Sequence, residues 1–234
     1  MSADTQKKAA AEHAVKVVDK GMKIGLGTGS TANYFIEAAA RKVKDQNLDT
    51  VFVPTSAATY NLAQKLGLKL VNIEDAPFLD FTVDGTDEFD SEFRLIKGAG
   101  GALHREKIVA SSSRFVICIC DESKKVDVLG KCALPIEVSK FGVNPTAWKI
   151  ERVLAEMGFD KPKMRLRADA DGKPFVTDSG NAIIDLALGK IPDPEKLNAY
   201  LNSLPGVIET GLFIGIFGIV MMGTDKGVIE TTRK

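Results

Sequence analysis

The sequence predicts an α/β protein: a Rossmann-like, doubly wound domain with a smaller α+β, ferredoxin-like domain inserted in it. Two observations carry the first part. Short apolar runs alternate with amphipathic helical segments from Met22 to Cys120, and polar or glycine-rich motifs follow several of those runs. Apolar strands separated by helices are the pattern of a parallel sheet covered on both faces. A third observation carries the second part. After Lys131 the elements read β-α-β-β-α-β, the order of a split β-α-β unit.

Taken in order, Ala10, Ala14, Val17 and Val18 recur at helical spacing and predict a helix between Thr5 and Asp19. Strands are expected at Met22–Leu26, Asp49–Val53, Lys69–Val71, Leu79–Asp84 and Phe115–Cys120. Helices are expected between them at Thr31–Lys44, Ser56–Leu66 and Leu103–Ser112. Leu134–Ser139 reads as a strand, and Pro145 suits the first position of a helix over Thr146–Glu156. Strands at Met164–Arg167 and Ala182–Leu186 and a helix at Pro194–Leu204 complete the insert, before an apolar segment from Val207. Phe213–Met222 and Val228–Glu230 then return strands to the first domain. The predicted domains are 1–132 with 207–234, and 133–206.

The chain has 234 residues, 44% hydrophobic and 26% charged, so a long disordered tract and a collagen-like repeat are excluded. Thirty-one basic residues balance 31 acidic ones. That balance argues against general nucleic-acid or anionic-membrane binding. The first fifteen residues hold no apolar run, so no secretory leader is expected, and Leu212–Met222 is too short to span a bilayer. Three cysteines cannot all pair. Cys118 and Cys120 read as buried hydrophobes in a reducing compartment, and the cytoplasm is expected.

Four segments carry chemistry. Gly25-Leu-Gly27-Thr28-Gly29-Ser30-Thr31 follows a strand and opens a helix without matching a dinucleotide fingerprint or a Walker loop. Its glycines, helix N-terminus and hydroxyls suit a phosphate. Asp84-Gly85-Thr86-Asp87 begins an acidic run at a strand's carboxyl end, where open α/β sheets bind ligands, and its carboxylates suit sugar hydroxyls. The spacing is not that of a calcium loop, and no metal ligand set is found. Lys97-Gly98-Ala99-Gly100-Gly101, ahead of a helix, suits an oxyanion. Glu106 follows on the face shared by Leu103 and Ala110, where a carboxylate is either paired or poised as a base. Lys124 follows the next strand at the same edge. Together these suit proton transfer on a phosphorylated polyol.

The stretches GLGTGSTA, VDGTDE, KGAGGAL with REKI, DESKKVDVLG and TDSGNAIID, in that order, resemble ribose-5-phosphate isomerases of the A type. The resemblance implies interconversion of ribose 5-phosphate and ribulose 5-phosphate in the pentose phosphate pathway, without metal or organic cofactor. It implies a homodimer or homotetramer. It makes Thr28, Gly29, Ser30, Thr31, Asp84, Gly85, Thr86, Asp87, Lys97, Gly98, Ala99 and Gly100 substrate contacts, and Lys124 a substrate-binding lysine. The base falls on Glu106, Asp84 or Asp87 assists ring opening, and Lys97 with the loop amides faces the developing oxyanion. Ala99 departs from the family's run of three glycines.

A coenzyme-A-transferase-like or deaminase-like enzyme and a non-catalytic sugar-phosphate sensor are the rival readings. The first needs a large acceptor site and the second an effector module, and neither is visible in the sequence.

Overall fold

The protein is described by a computed structural model covering residues 1–160 and 162–233. Its strands are β1 (Lys23–Leu26), β2 (Val51–Pro54), β3 (Phe81–Asp84), β4 (Glu88–Phe89), β5 (Leu95–Ile96), β6 (Val116–Asp121), β7 (Leu134–Val138), β8 (Lys163–Leu166), β9 (Ala182–Ala187), β10 (Val207–Thr210), β11 (Leu212–Phe213), β12 (Ile219–Thr224) and β13 (Gly227–Thr232). Its helices are α1 (Ala3–Ala14), α2 (Ser30–Gln46), α3 (Ala57–Lys65), α4 (Leu103–Ser111), α5 (Val143–Glu156) and α6 (Pro194–Asn202).

The chain divides into two compact units, Met1–Thr86 with Arg105–Lys125 and Gly215–Lys234, and Asp87–His104 with Val126–Ile214. The first holds a six-stranded sheet in the order β13-β12-β6-β3-β1-β2. Every neighbouring pair is parallel except β12 with β13, so the sheet is mixed. All six residues of β6 are buried. A central strand covered on both faces has no solvent side for polar residues to occupy, which is why its sequence runs apolar without alternation. Phe35 and Ile36 of α2 and Ala10, Ala11 and Ala14 of α1 pack with Ile24, Phe81, Val83, Ile117 and Ile119 in one core. Burying a Phe or Ile side chain contributes about 1.5–3 kcal/mol.

The second unit holds an antiparallel sheet in the order β10-β7-β9-β8, with α5 between β7 and β8 and α6 between β9 and β10. Ile136, Ile150, Leu154, Ile184, Leu197 and Leu201 form its core. It also holds a three-stranded sheet, β11-β5-β4, that the sequence analysis did not anticipate. The second unit takes in 87–104, 126–132 and 207–214, all of which the sequence expectation had kept in the first.

Three element expectations need correction. Lys69–Val71 is not a strand, since only Leu70 bridges to Phe52. Phe213–Met222 is not one strand, because the chain breaks at the left-handed Gly215 (φ 72°) between β11 and β12. Pro145 lies third in α5 rather than first, because Gly142 (φ 80°) serves as the N-cap. Its missing N–H still falls in the first turn, where no intrahelical acceptor exists.

Candidate active site

In the first unit β1, β3 and β6 are adjacent and parallel, so whatever follows each of them leaves the same sheet edge. From β1 the chain moves to β2 on one side, then crosses to β3 on the other. Strand order reverses there, and such a switch point is where open α/β sheets bind ligands. The Gly27–Thr31 loop and Asp84 both sit at it.

Their fit is tight. A Cβ on Gly27 would stand 2.0 Å from Asp84 Oδ1, so only glycine is accommodated. Asp84 is fully buried, and its Oδ1 accepts from the N–H of Thr28 (3.1 Å) and Gly85 (2.7 Å). The Thr28 hydroxyl does not face outward. It lies 2.7 Å from Thr55 Oγ1, 2.8 Å from Ser56 Oγ and 3.1 Å from Thr59 Oγ1, in a cluster that anchors the loop. Thr59 adds a bond from its hydroxyl to the Gly27 carbonyl (2.9 Å).

Gly29 is the N-cap of α2, with φ 116° and ψ 174°, a conformation essentially confined to glycine. It brings no side-chain cap, so no hydroxyl or carboxylate competes for the first-turn N–H groups of this 17-residue helix. Ser30 is exposed and Thr31 nearly buried in that turn. First-turn amides with no side-chain cap, the positive end of the helix dipole and two hydroxyls are an arrangement chemically suited to an anion.

Glu106 lies in the first turn of α4 and is only 3% exposed, on the face that also buries Val109 and Ala110. The direction of α4 places it. Leu79, just before β3, donates its N–H to Ser112 O (2.9 Å), which pins the C-terminal end of α4 at the amino end of β3. Six residues of helix rise about 9 Å, close to the length of a four-residue strand, so Glu106 is carried back to the carboxyl edge. Lys124 is half-buried at that edge, in the one-turn 3-10 helix Glu122–Lys124 after β6. The Gln6 side chain of α1 donates to Glu122 Oε1 (2.6 Å) and Asp225 Oδ1 (2.9 Å). It fixes this turn from a helix that the sequence reading left out of the site.

The second unit positions the remaining predicted residues. Asp87 precedes β4 and Lys97 follows β5, and Glu88 pairs with Ile96, so the two stand opposite each other across an antiparallel hairpin. Asp87 donates its N–H to Ile96 O (2.9 Å), and Lys97 donates its own to Gly211 O (2.9 Å) beside β11. Lys97 is 2% exposed, its ammonium 5.5 Å from the Phe213 ring centroid. Gly98 (φ 108°) and Gly101 (φ 78°) supply the left-handed residues of the loop, whereas Ala99 has no positive φ and is accommodated. The Ala99 N–H donates to Asp87 Oδ2 (2.9 Å), and Gly101 N–H to Gly98 O (3.0 Å).

The acidic run is not a solvated turn. Asp84, Glu88 and Asp90 are all buried. Glu88 accepts from Gly130 N–H (2.8 Å) and from Cys132 N–H, and Asp90 from Arg94 Nε (2.7 Å), which makes both structural. Among the described residues no three His, Cys, Asp or Glu side chains are grouped to hold a metal ion. Nor is any described helix long and apolar enough to cross a membrane.

Comparison with known proteins decides the family. The sequence model of ribose 5-phosphate isomerase A (phosphoriboisomerase A) matches residues 51–227. The ribose-5-phosphate isomerase A of Parvibaculum lavamentivorans is 55% identical over 227 residues, 97% of each chain. The chain belongs to the ribose 5-phosphate isomerase A family. It is an aldose–ketose isomerase, interconverting ribose 5-phosphate and ribulose 5-phosphate. The solved ribose 5-phosphate isomerase of Plasmodium falciparum is 38% identical to this isomerase and superposes with a TM-score of 0.92 over 99% of both chains. A D-ribose-5-phosphate isomerase solved with phospho-erythronic acid is 39% identical, with a TM-score of 0.90 over 100% of both.

Proposed function

We propose that the isomerase works through a cis-enediolate, with Glu106 as the base. Glu106 takes the proton from C2 of the open-chain aldehyde, and the electrons of that C–H bond form the C1=C2 double bond. The same carboxyl then delivers a proton to C1 while the C2 oxygen becomes the ketone. The 2-hydroxyl proton passes to O1, so the change is redox-neutral overall. Three observations support Glu106: its burial in the first turn of α4, its return to the carboxyl edge of the sheet, and its place in the family's motif. The position of this buried carboxylate at the residue that matches the family's REKI motif is the observation that carries the reading, since burial alone also describes the structural Glu88.

Ser30 and Thr31 hold the 5-phosphate on the bare N-terminus of α2, with Lys124 as a second cation. Gly29, Gly85 and Thr86 contact substrate through the loops they form, and Thr28 contributes by anchoring its loop. Lys97, Gly98, Ala99 and Gly100 face the oxygens of the enediolate, and Asp84 or Asp87 opens the furanose ring. The relative solved with phospho-erythronic acid supports the intermediate, since a planar carboxylate on a phosphorylated chain resembles a planar enediolate. The second unit reads as a ferredoxin-like insert, on the strength of its β-α-β-β-α-β order and the sheet order β10-β7-β9-β8. The enzyme acts in the cytoplasm as a homodimer or homotetramer. Phe78 and Phe141, 82% and 93% exposed, are apolar surface that suits a second copy.

Steady-state isomerisation of ribose 5-phosphate by the wild type and by Glu106→Gln tests this reading. The variant keeps shape and hydrogen bonding but not the basic lone pair, so kcat falls by about 10²–10⁴-fold or more with KM near normal. Wild-type turnover in Glu106→Gln would mean that another residue is the base.

A further inference from the structure

Arg167 follows β8 and belongs to none of the stretches assigned to substrate. Its side chain is 15% exposed, and it grips Asp185 of β9 with two bonds, Nε to Oδ2 at 2.9 Å and the Nη2 group to Oδ1. Its remaining Nη1 donates to two successive carbonyls of the glycine loop, Gly98 O (2.8 Å) and Ala99 O (3.1 Å). The guanidinium also lies 5.9 Å from the Phe175 ring centroid. A Cβ on Gly101 would meet that ring at 2.5 Å, so Phe175 closes down on the loop's last glycine. All of these residues belong to the second unit.

We propose that Arg167, held by Asp185, is a positioning residue for the isomerase reaction, one that sets the direction of the loop's amide donors. The reasoning is geometric. In a trans peptide the carbonyl of one residue and the N–H of the next point opposite ways. Fixing Gly98 O on Arg167 therefore turns the Ala99 N–H away from Arg167, and that N–H meets Asp87 Oδ2 at 2.9 Å. Fixing Ala99 O in the same way turns the Gly100 N–H away from Arg167. Ala99 N–H is taken by Asp87 and Gly101 N–H by Gly98 O, which leaves Gly98 and Gly100 N–H as the loop's remaining donors. A cation on the Ala99 carbonyl also polarises the peptide that carries the Gly100 N–H, making it a stronger donor toward an oxyanion.

The planar fork is essential to this arrangement. A lysine offers one ammonium on a flexible stem and cannot hold a carboxylate and two carbonyls in one plane. The ion pair itself is part of the device: Asp185 fixes the guanidinium plane so that the third nitrogen meets the loop.

The proposal rests on the reading that the Lys97–Gly100 loop faces the enediolate, and the test separates the two. Wild type, Arg167→Lys and Asp185→Asn are compared for ribose 5-phosphate turnover, for inhibition by phospho-erythronic acid and by inorganic phosphate, and for thermal midpoint. Absence of wild-type turnover would overturn the enzymatic reading itself. With wild-type turnover in place, Arg167→Lys should lower kcat by about 10–100-fold with KM within about twofold, a partial loss of one oxyanion donor. Inhibition by phospho-erythronic acid should weaken by a similar factor, while inhibition by inorganic phosphate stays unchanged. Asp185→Asn should show the same pattern with a smaller loss. Two results would overturn the positioning role. One is a kcat within about twofold of wild type in both variants. The other is a parallel loss of both inhibitors with a lowered thermal midpoint, the signature of a merely structural contact.

Discussion

Buried carboxylates in this chain divide by what reaches them. Asp90 is wrapped by the Arg94 N–H and guanidinium within its own turn, Glu88 accepts from the distant Gly130 and Cys132 N–H groups, and both hold structure. Glu106 is buried in the first turn of α4, on the face that also buries Val109 and Ala110. Its spacing from Leu103 and Ala110 put it on an apolar helix face in the sequence, where its burial as against a salt-bridged surface position stayed open. The sorting of the acidic run was not legible, because the donors to Glu88 come from Gly130 and Cys132, more than forty residues away. Arg167 was invisible for the same reason: its partners lie 18 and 69 residues off. At this scale phosphate recognition is tested by replacing Ser30 and Thr31 with Ala together. Inhibition by inorganic phosphate should weaken by about 100-fold, the loss of two hydrogen bonds to a charged group at about 1.5 kcal/mol each. An unchanged inhibition constant would place the phosphate elsewhere. The thiols give a second test. A hydrogen bond with Cys118 and burial hold the Cys120 thiol well above its ordinary 9.0. The folded chain therefore keeps this proton when the unfolded chain has lost it, and stability falls as pH rises past that value. Urea midpoints at about pH 8 and about pH 10 should separate less in Cys120→Ala than in the wild type. Equal separations would show that Cys120 does not contribute.

Elements were read from the sequence best where their pattern is long. β6 and α2 were foreseen within two residues, because six apolar residues in a row and 17 residues of helical period leave few alternatives. The two-residue strands β4, β5 and β11 were missed, since no period can be read from two residues. Yet the β4–β5 hairpin is what sets Asp87 opposite Lys97. Phe89, Phe93, Leu95 and Ile96 were the available signal, four buried apolar residues around an acidic turn. The start of α2 carries the prediction at this scale. Gly29→Ala adds a Cβ into open space, so any effect comes from the φ of 116° alone. Such backbone strain costs about 1–3 kcal/mol. The variant should lose stability in chemical denaturation by that amount, and phosphate inhibition should weaken as the first turn of α2 shifts. A stability equal to wild type would show that the cap relaxes without cost.

In the first unit one sheet edge carries the Gly27–Thr31 loop, Asp84, Glu106 and Lys124, and in the second a small hairpin and loop carry Asp87 and Lys97. The alternation of apolar runs and helices conveyed the first unit from sequence. The boundary between units did not emerge, because it follows a small sheet assembled from 87–96 and 212–213. With no grouped metal ligands among the described residues, turnover should survive exhaustive chelation. Activity lost to chelator and restored by added divalent metal would refute that expectation. The central claim is that Glu106 carries a proton between C2 and C1. Proton NMR of ribose 5-phosphate turning over in deuterium oxide, with wild type and Glu106→Gln side by side, tests it most directly. A carboxyl group that holds the migrating proton exchanges it with solvent while the enediolate persists, so the wild type should place deuterium at C1 of ribulose 5-phosphate. Glu106→Gln should show neither product nor exchange on that timescale. Full retention of the C2 hydrogen at C1 by the wild type, together with undiminished turnover by Glu106→Gln, would contradict the account.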